Sequence, residues 1–253
     1  MTRTGTSLLI LATLGFIASS LGFALHMDAG SVGSSAEGMA RMLASPRYFA
    51  AEPERIDLSA LFLHPQGIGM KTLLVMTWAA LAYHALRNAL SPAPAGAGSQ
   101  APLIGALALG AVWPWLVPTA PILSFLLAGL TLVGLISAAM QEQQHQGHQI
   151  ERSSALGFAA GWGLLVWLSM LAALLQTPLG LSQDAAAVIA ILIGSIAAVR
   201  LQLRLGRRIG FSVALIWGLI GIAAGTVTTD ATIATVTVLA IAIIAVALVR
   251  VTT

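Results

Sequence analysis

NALSPAPAGAGSQAPLIGALALGAVWPWLVPTAPILSFLLAGLTLVGLISAAMQ, residues 88–141, runs for 54 positions without one charged side chain. A second uncharged stretch, residues 153–183, covers 31 positions. A soluble fold cannot hide that much apolar chain, so the sequence reads as an integral membrane protein that crosses the bilayer several times. Composition agrees. Of 253 residues, 58% are hydrophobic and 8% charged, and the mean hydropathy is +0.91. Ordinary soluble domains carry about 25% charged residues. A soluble enzyme, a nucleic-acid binder and a disordered chain are excluded. The net charge of +3 reflects scarce charges, not a basic patch. There is no cysteine, which removes disulfides, thiol catalysis and cysteine-ligated metals.

About 20 apolar residues cross a bilayer core as a helix. Eight such stretches are expected in an all-α bundle, at 7–25, 69–90, 102–118, 121–140, 154–176, 184–204, 209–227 and 230–249. Pro102 and Pro121 open the third and fourth, where a missing N–H costs little. Asp184 and Asp230 begin the sixth and eighth, where a carboxylate can accept from free helical N–H groups. With both termini on one side, that side holds eight arginines against two acids, a net +6. The opposite side holds four cations against seven acids, a net −3. The positive side is expected to be cytoplasmic, in a bacterial inner membrane. The first stretch resembles a signal peptide in having Arg3 before an apolar run, and is expected to stay as an uncleaved helix.

Residues 1–90 read as two N-terminal helices joined by a long outer loop, 26–68. Within it Ser34 and Glu37 form a capping-box pattern before a short helix that Pro46 stops, and Ile56 to Leu63 form a second apolar run. Both suit pieces lying on the membrane surface, as a lid over the helix ends or as a docking surface. Residues 91–101 read as a flexible linker, and 102–253 as a six-helix bundle.

No Asp or Glu lies in the middle of a span, which disfavours proton-coupled transport. His84 is the only histidine within a span and reads as an interfacial polar residue. His26, His64, His145 and His148 lie in loops or at span ends, so a di-histidine haem is not expected. Glu142, His145, His148 and Glu151 repeat every three residues, a spacing that can gather ligands on a helix. Gly147 and the neighbouring glutamines make a solvated connector the stronger reading, so no metal site and no cofactor is expected. No catalytic constellation is present, and no enzymatic activity is expected.

Tryptophan usually lies at membrane interfaces. Trp113 and Trp115, around Pro114, fit that rule. Trp78, Trp162, Trp167 and Trp217 lie deeper, where an indole N–H wants an acceptor. Helix packing, an aromatic-lined cavity for a flat apolar ligand, and contact with another subunit all account for them. Gly157 and Gly161 precede Trp162, and Gly221 and Gly225 follow Trp217. These small-x-x-x-small faces serve internal packing or a homodimer.

Arg207-Arg208-Ile-Gly-Phe211-Ser-Val-Ala-Leu-Ile-Trp217-Gly-Leu-Ile-Gly-Ile resembles the arginine-led helix of the long-form tryptophan-rich sensory proteins, relatives of the TspO/MBR (translocator protein) family. Gly161-Trp162-Gly163-Leu-Leu-Val-Trp167, Val112-Trp113-Pro114-Trp115, and Pro65 to Gly67 with Trp78 to Tyr83 are similar to further elements of that family. The resemblance implies a helical bundle that binds a tetrapyrrole or sterol-like ligand as a sensor or regulator. It also implies that Trp78, Tyr83, Trp113, Trp115, Trp162, Trp167 and Trp217 line the ligand cavity. The rival expectation is a non-catalytic accessory or assembly subunit of a larger respiratory or photosynthetic membrane complex. An ion-independent small-molecule transporter is a third.

Overall fold

A computed structural model describes residues 3–44, 67–90, 100–145, 150–206, 209–227 and 230–252. Among these there are eight α-helices and no strand. They are α1 (Arg3–Ala44), α2 (Ile68–Leu90), α3 (Ala101–Leu116), α4 (Pro121–His145), α5 (Ile150–Gln176), α6 (Gln183–Leu205), α7 (Ile209–Thr226) and α8 (Ala231–Thr252). Six are long and apolar enough to cross a membrane: the Gly5–His26 part of α1, and α4 through α8. The helix α3 has 16 residues, about 24 Å of rise against a hydrocarbon core of about 30 Å. The helix α2 is long enough, but Lys71, His84, Arg87 and Asn88 dilute its apolar character. The protein is a multi-pass helical membrane protein.

The expected boundaries hold within a few residues except after the first span. There a surface loop is expected from residue 26, but α1 continues as helix to Ala44. Ser34 therefore begins no new helix. The backbone of residues 34–37 already belongs to α1, so its N–H groups point to carbonyls four residues back and need no cap. The described helix runs to Ala44, two residues before Pro46 in the sequence. The second apolar run, Ile56 to Leu63, lies outside the described residues, as do most of the 91–101 linker and residues 146–149.

Helix α5 forms the axis of the bundle. It packs against α2, α4, α6 and α7, and 67% of its apolar span is buried, against 22% for α1. Helices α1, α3 and α4 stand on one side of it, and α6, α7 and α8 on the other. The closest approach is between α5 and α7, which run parallel. A Cβ added at Gly161 would lie 2.6 Å from the Phe211 carbonyl and 2.9 Å from the Ala214 methyl. Gly157 faces the Phe211 backbone at 3.3 Å, and Gly210 and Gly218 on α7 press against Ser154 and Leu165. Glycine thus lets two backbones meet, and the packing is internal to the chain. Gly221 instead receives the Met70 side chain of α2, and Gly225 has nothing within 4 Å.

Helices α6 and α8 form a second parallel pair. At their N-terminal ends the Asp184 and Asp230 carboxyl groups come close enough to interact. Midway down, Ala198 and Ile244 line one small void. Both pairs have an offset of 46 residues, and the same offset brings Arg204 level with Arg250.

Candidate functional site

The seven aromatic residues expected around one cavity do not gather there. Trp113 and Trp162 do come together. Both are buried, at 2% and 4% exposure, and they share a small void with Phe16, Phe23, Leu74 and Pro114. Phe16 meets the Trp162 ring edge-on at 6.2 Å, and Gly110 makes room for Phe16, whose ring carbon lies 2.8 Å from where a Cβ would stand. The void is about 10 Å³, while pockets for drug-sized ligands run to about 300–1,000 Å³. Trp113 is therefore packed into the core.

Trp115 stands apart from the core. It is 44% exposed, with Phe23 edge-on at 5.6 Å and His26 tilted against it at 6.1 Å. Its indole N–H donates to Ser19 Oγ at 2.8 Å, and Ser19 in turn donates to the Ala111 carbonyl. Nearby, Ser124 Oγ of α4 donates at 2.8 Å to the Trp113 carbonyl, while the Val117 N–H turns to the Pro114 carbonyl. A side chain thus satisfies a carbonyl near the helix end.

The remaining aromatic residues stand apart. Trp167 is half-buried and stacked on Phe125 of α4 at 4.9 Å, over Gly129. Trp217 is 36% exposed, and its N–H donates to the Gly69 carbonyl at 3.1 Å, tying α7 to the first turn of α2. Tyr83 is exposed and accepts from Arg87 at 2.9 Å. Trp78 is half-buried, and its buried Nε1 has no hydrogen-bond partner. His84 is buried and shares a hydrogen bond with Asn88 at 2.9 Å. Among the described residues no group of His, Asp or Glu is arranged to hold a metal.

A roomier space lies elsewhere. An apolar groove of about 280 Å³ opens between the α3–α4 turn and the end of α5. Val117, Pro121 and Ile122 form one wall, and Met170, Ala173 and Leu174 the other. Thr177 at its rim turns its hydroxyl to the Ala173 carbonyl, so the groove offers an apolar lining. No aromatic ring lines it. The sequence signal is indirect. Pro118, Pro121 and Pro178 mark two short turns that fall at the same end of the bundle and hold their helix ends apart.

At that same end Ser182 caps α6 through the Ala185 N–H at 3.3 Å, so Asp184 lies in the first turn and not at the cap. Asp230 does cap α8, accepting from Thr232 and Ile233 at 2.9 and 3.0 Å. The Ile233 N–H foremost, then the Asp184 side chain and the Thr232 N–H, holds the Asp230 carboxyl below the usual carboxylate range.

Fold and site together define a polytopic helical membrane protein with an apolar groove at one end and a tightly packed aromatic interior. No family model, curated protein or solved structure matches the chain. The likeness of residues 200–225 to the TspO/MBR helix rests on those residues alone.

Proposed function

We propose that this protein is a non-catalytic membrane protein that holds a hydrophobic ligand in the groove between Pro121 and Ala173 and acts as a sensor or regulator. Its arginine-rich end would face the cytoplasm of a bacterial inner membrane, following the charge asymmetry of its loops. The groove's size and apolar lining carry this reading. Its volume approaches the lower end for ligand pockets, and no polar group in it demands a specific partner. An acyl or isoprenoid chain suits such a groove better than a rigid tetrapyrrole, for which the void beside Trp162 has no room. The TspO/MBR likeness supports a hydrophobic ligand only in this broader sense.

Titration of the purified full-length protein with cis-parinaric acid tests the proposal. The fatty acid should quench tryptophan emission by energy transfer, and Ala173→Phe should fill the groove and weaken binding at least tenfold. Equal binding by both proteins would refute the site. Protoporphyrin, run in parallel, should leave the tryptophan emission without saturable quenching.

One feature favours the accessory-subunit reading as a second proposal. Helix α1 continues for 18 residues after His26, about 27 Å past its apolar span. A rod of that length suits a soluble or peripheral partner. Mild-detergent isolation should then yield a stoichiometric complex that is lost on deleting residues 27–44.

A further inference from the structure

Both walls of the apolar groove come from stretches of chain that carry no charge. Val117, Pro121 and Ile122 lie inside the uncharged run 88–141, and Met170 to Pro178 lie inside 153–183. Along the chain, the charged residue closest to either wall is Asp184, six residues after Pro178, and it is an acid. An anionic head seated at this rim would give up water with no cation supplied by either wall, which is costly.

The backbone discriminates in the same direction. Helices α3 and α5 both reach the groove by their C-terminal ends, where carbonyl groups carry partial negative charge. In the adjoining turns the Thr119 and Ala120 N–H groups are spent on the Leu116 carbonyl, at 3.2 and 2.7 Å, and the Leu181 N–H on the Leu175 carbonyl at 3.3 Å. Helix α4 starts on Pro121, which has no N–H to give. Thr177 lines the groove, and its own proton goes to the Ala173 carbonyl at 3.1 Å, so its hydroxyl oxygen is left as an acceptor. The rim therefore offers acceptors to a head that can donate, and little to a head that can only accept.

We infer that the groove selects a neutral lipid alcohol, of the long-chain or isoprenoid class, whose hydroxyl donates to Thr177 Oγ1 while its chain lies between Pro121 and Ala173. The inference rests on the groove holding a hydrophobic ligand, and adds which head that ligand carries. Fatty acids enter the groove as weaker ligands, because their carboxylate finds no partner there.

Three fluorescent probes with one chain separate the head from the tail: cis-parinaryl alcohol, methyl cis-parinarate and cis-parinaric acid. Each is titrated against the full-length protein in detergent at about pH 9, where the acid is ionised, and referenced to its partition into empty micelles. The alcohol should bind at least about tenfold tighter than the acid, with the ester, uncharged but without a donor, between them. Thr177→Val keeps the shape of the side chain and removes the acceptor. It should weaken the alcohol about fivefold, the scale of one hydrogen bond, and leave the ester unchanged. Thr177→Lys supplies a cation and should turn the preference toward the acid. Acid binding as tightly as alcohol, or Thr177→Val leaving the alcohol unchanged, overturns the inference, while the groove reading survives if Ala173→Phe still weakens all three probes. Binding of none of the probes, or equal binding by Ala173→Phe and the wild type, removes the groove reading and this inference with it.

Discussion

Ser212 on α7 donates its hydroxyl to Gln202 Oε1 on α6 at 2.6 Å, and Gln202 Nε2 donates to the Gly206 carbonyl at 2.8 Å. Both side chains are buried, at 0% and 1% exposure. Together they close the α6–α7 turn, where Gly206 takes a φ of +64° that favours glycine. Ser212→Ala should cost about 1 kcal/mol, and Ser212→Ala combined with Gln202→Leu should cost less than the two single changes added. Chemical denaturation of the four proteins in one detergent provides the cycle. Strict additivity would show that the contact is not energetically coupled.

Gly161 and Gly225 should respond oppositely to a larger side chain. At Gly161 a Cβ meets the Phe211 carbonyl at 2.6 Å, so α5 and α7 would have to separate. Overpacking of this kind costs roughly 1–3 kcal/mol. At Gly225 nothing lies within 4 Å. Gly161→Leu should lower the Tm by several degrees and Gly225→Leu should not. Similar melting of the two variants would contradict the α5–α7 contact.

Asp230 predicts an acid-labile step. Its folded-state pKa is depressed, so its contribution to stability is complete above the ordinary aspartate value of about 3.9. That contribution is lost as pH falls further, through the folded-state value. Asp230→Asn should flatten the pH dependence of Tm in this acidic range and leave the neutral range with a smaller slope change. Identical melting profiles for the two proteins from neutral to acidic pH would exclude the effect.

Brominated lipid should sort the tryptophans. Trp115 and Trp217 are 44% and 36% exposed, whereas Trp113 and Trp162 are buried. Single-tryptophan variants reconstituted in dibromo-phosphatidylcholine should lose emission strongly at the first two positions and weakly at the last two. Strong quenching at Trp162 would place that ring against lipid and contradict the packing with Phe16.

The helices were legible because an uncharged run of some 20 residues has few other uses. The aromatic residues were harder to read because depth along a helix does not determine direction around it. Trp113 and Trp115 are two residues apart, about 200° around the helix, so one enters the core and the other faces outward. Trp162 and Trp217 lie at similar depths, yet one meets Phe16 and the other reaches Gly69 on a different helix. The glycines show the same limit. Gly157 and Gly161 do pack closely within the chain, but the spacing did not name their partners, Phe211 and Ala214 on α7, while Gly221 served α2. The groove at Pro121 depends on two turns distant in sequence, and no local pattern announces such a meeting.

The matched geometry of α6 and α8 also sets a thickness. From Asp184 to Arg204 and from Asp230 to Arg250 are 20 residues each, about 30 Å of rise. Two parallel rods, anchored at both ends by ionic groups that resist entering hydrocarbon, act as a gauge for the bilayer around them. A sheet of lipid much thicker or thinner would force tilting or local deformation, so the protein's preferred surroundings are written into the spacing of four side chains.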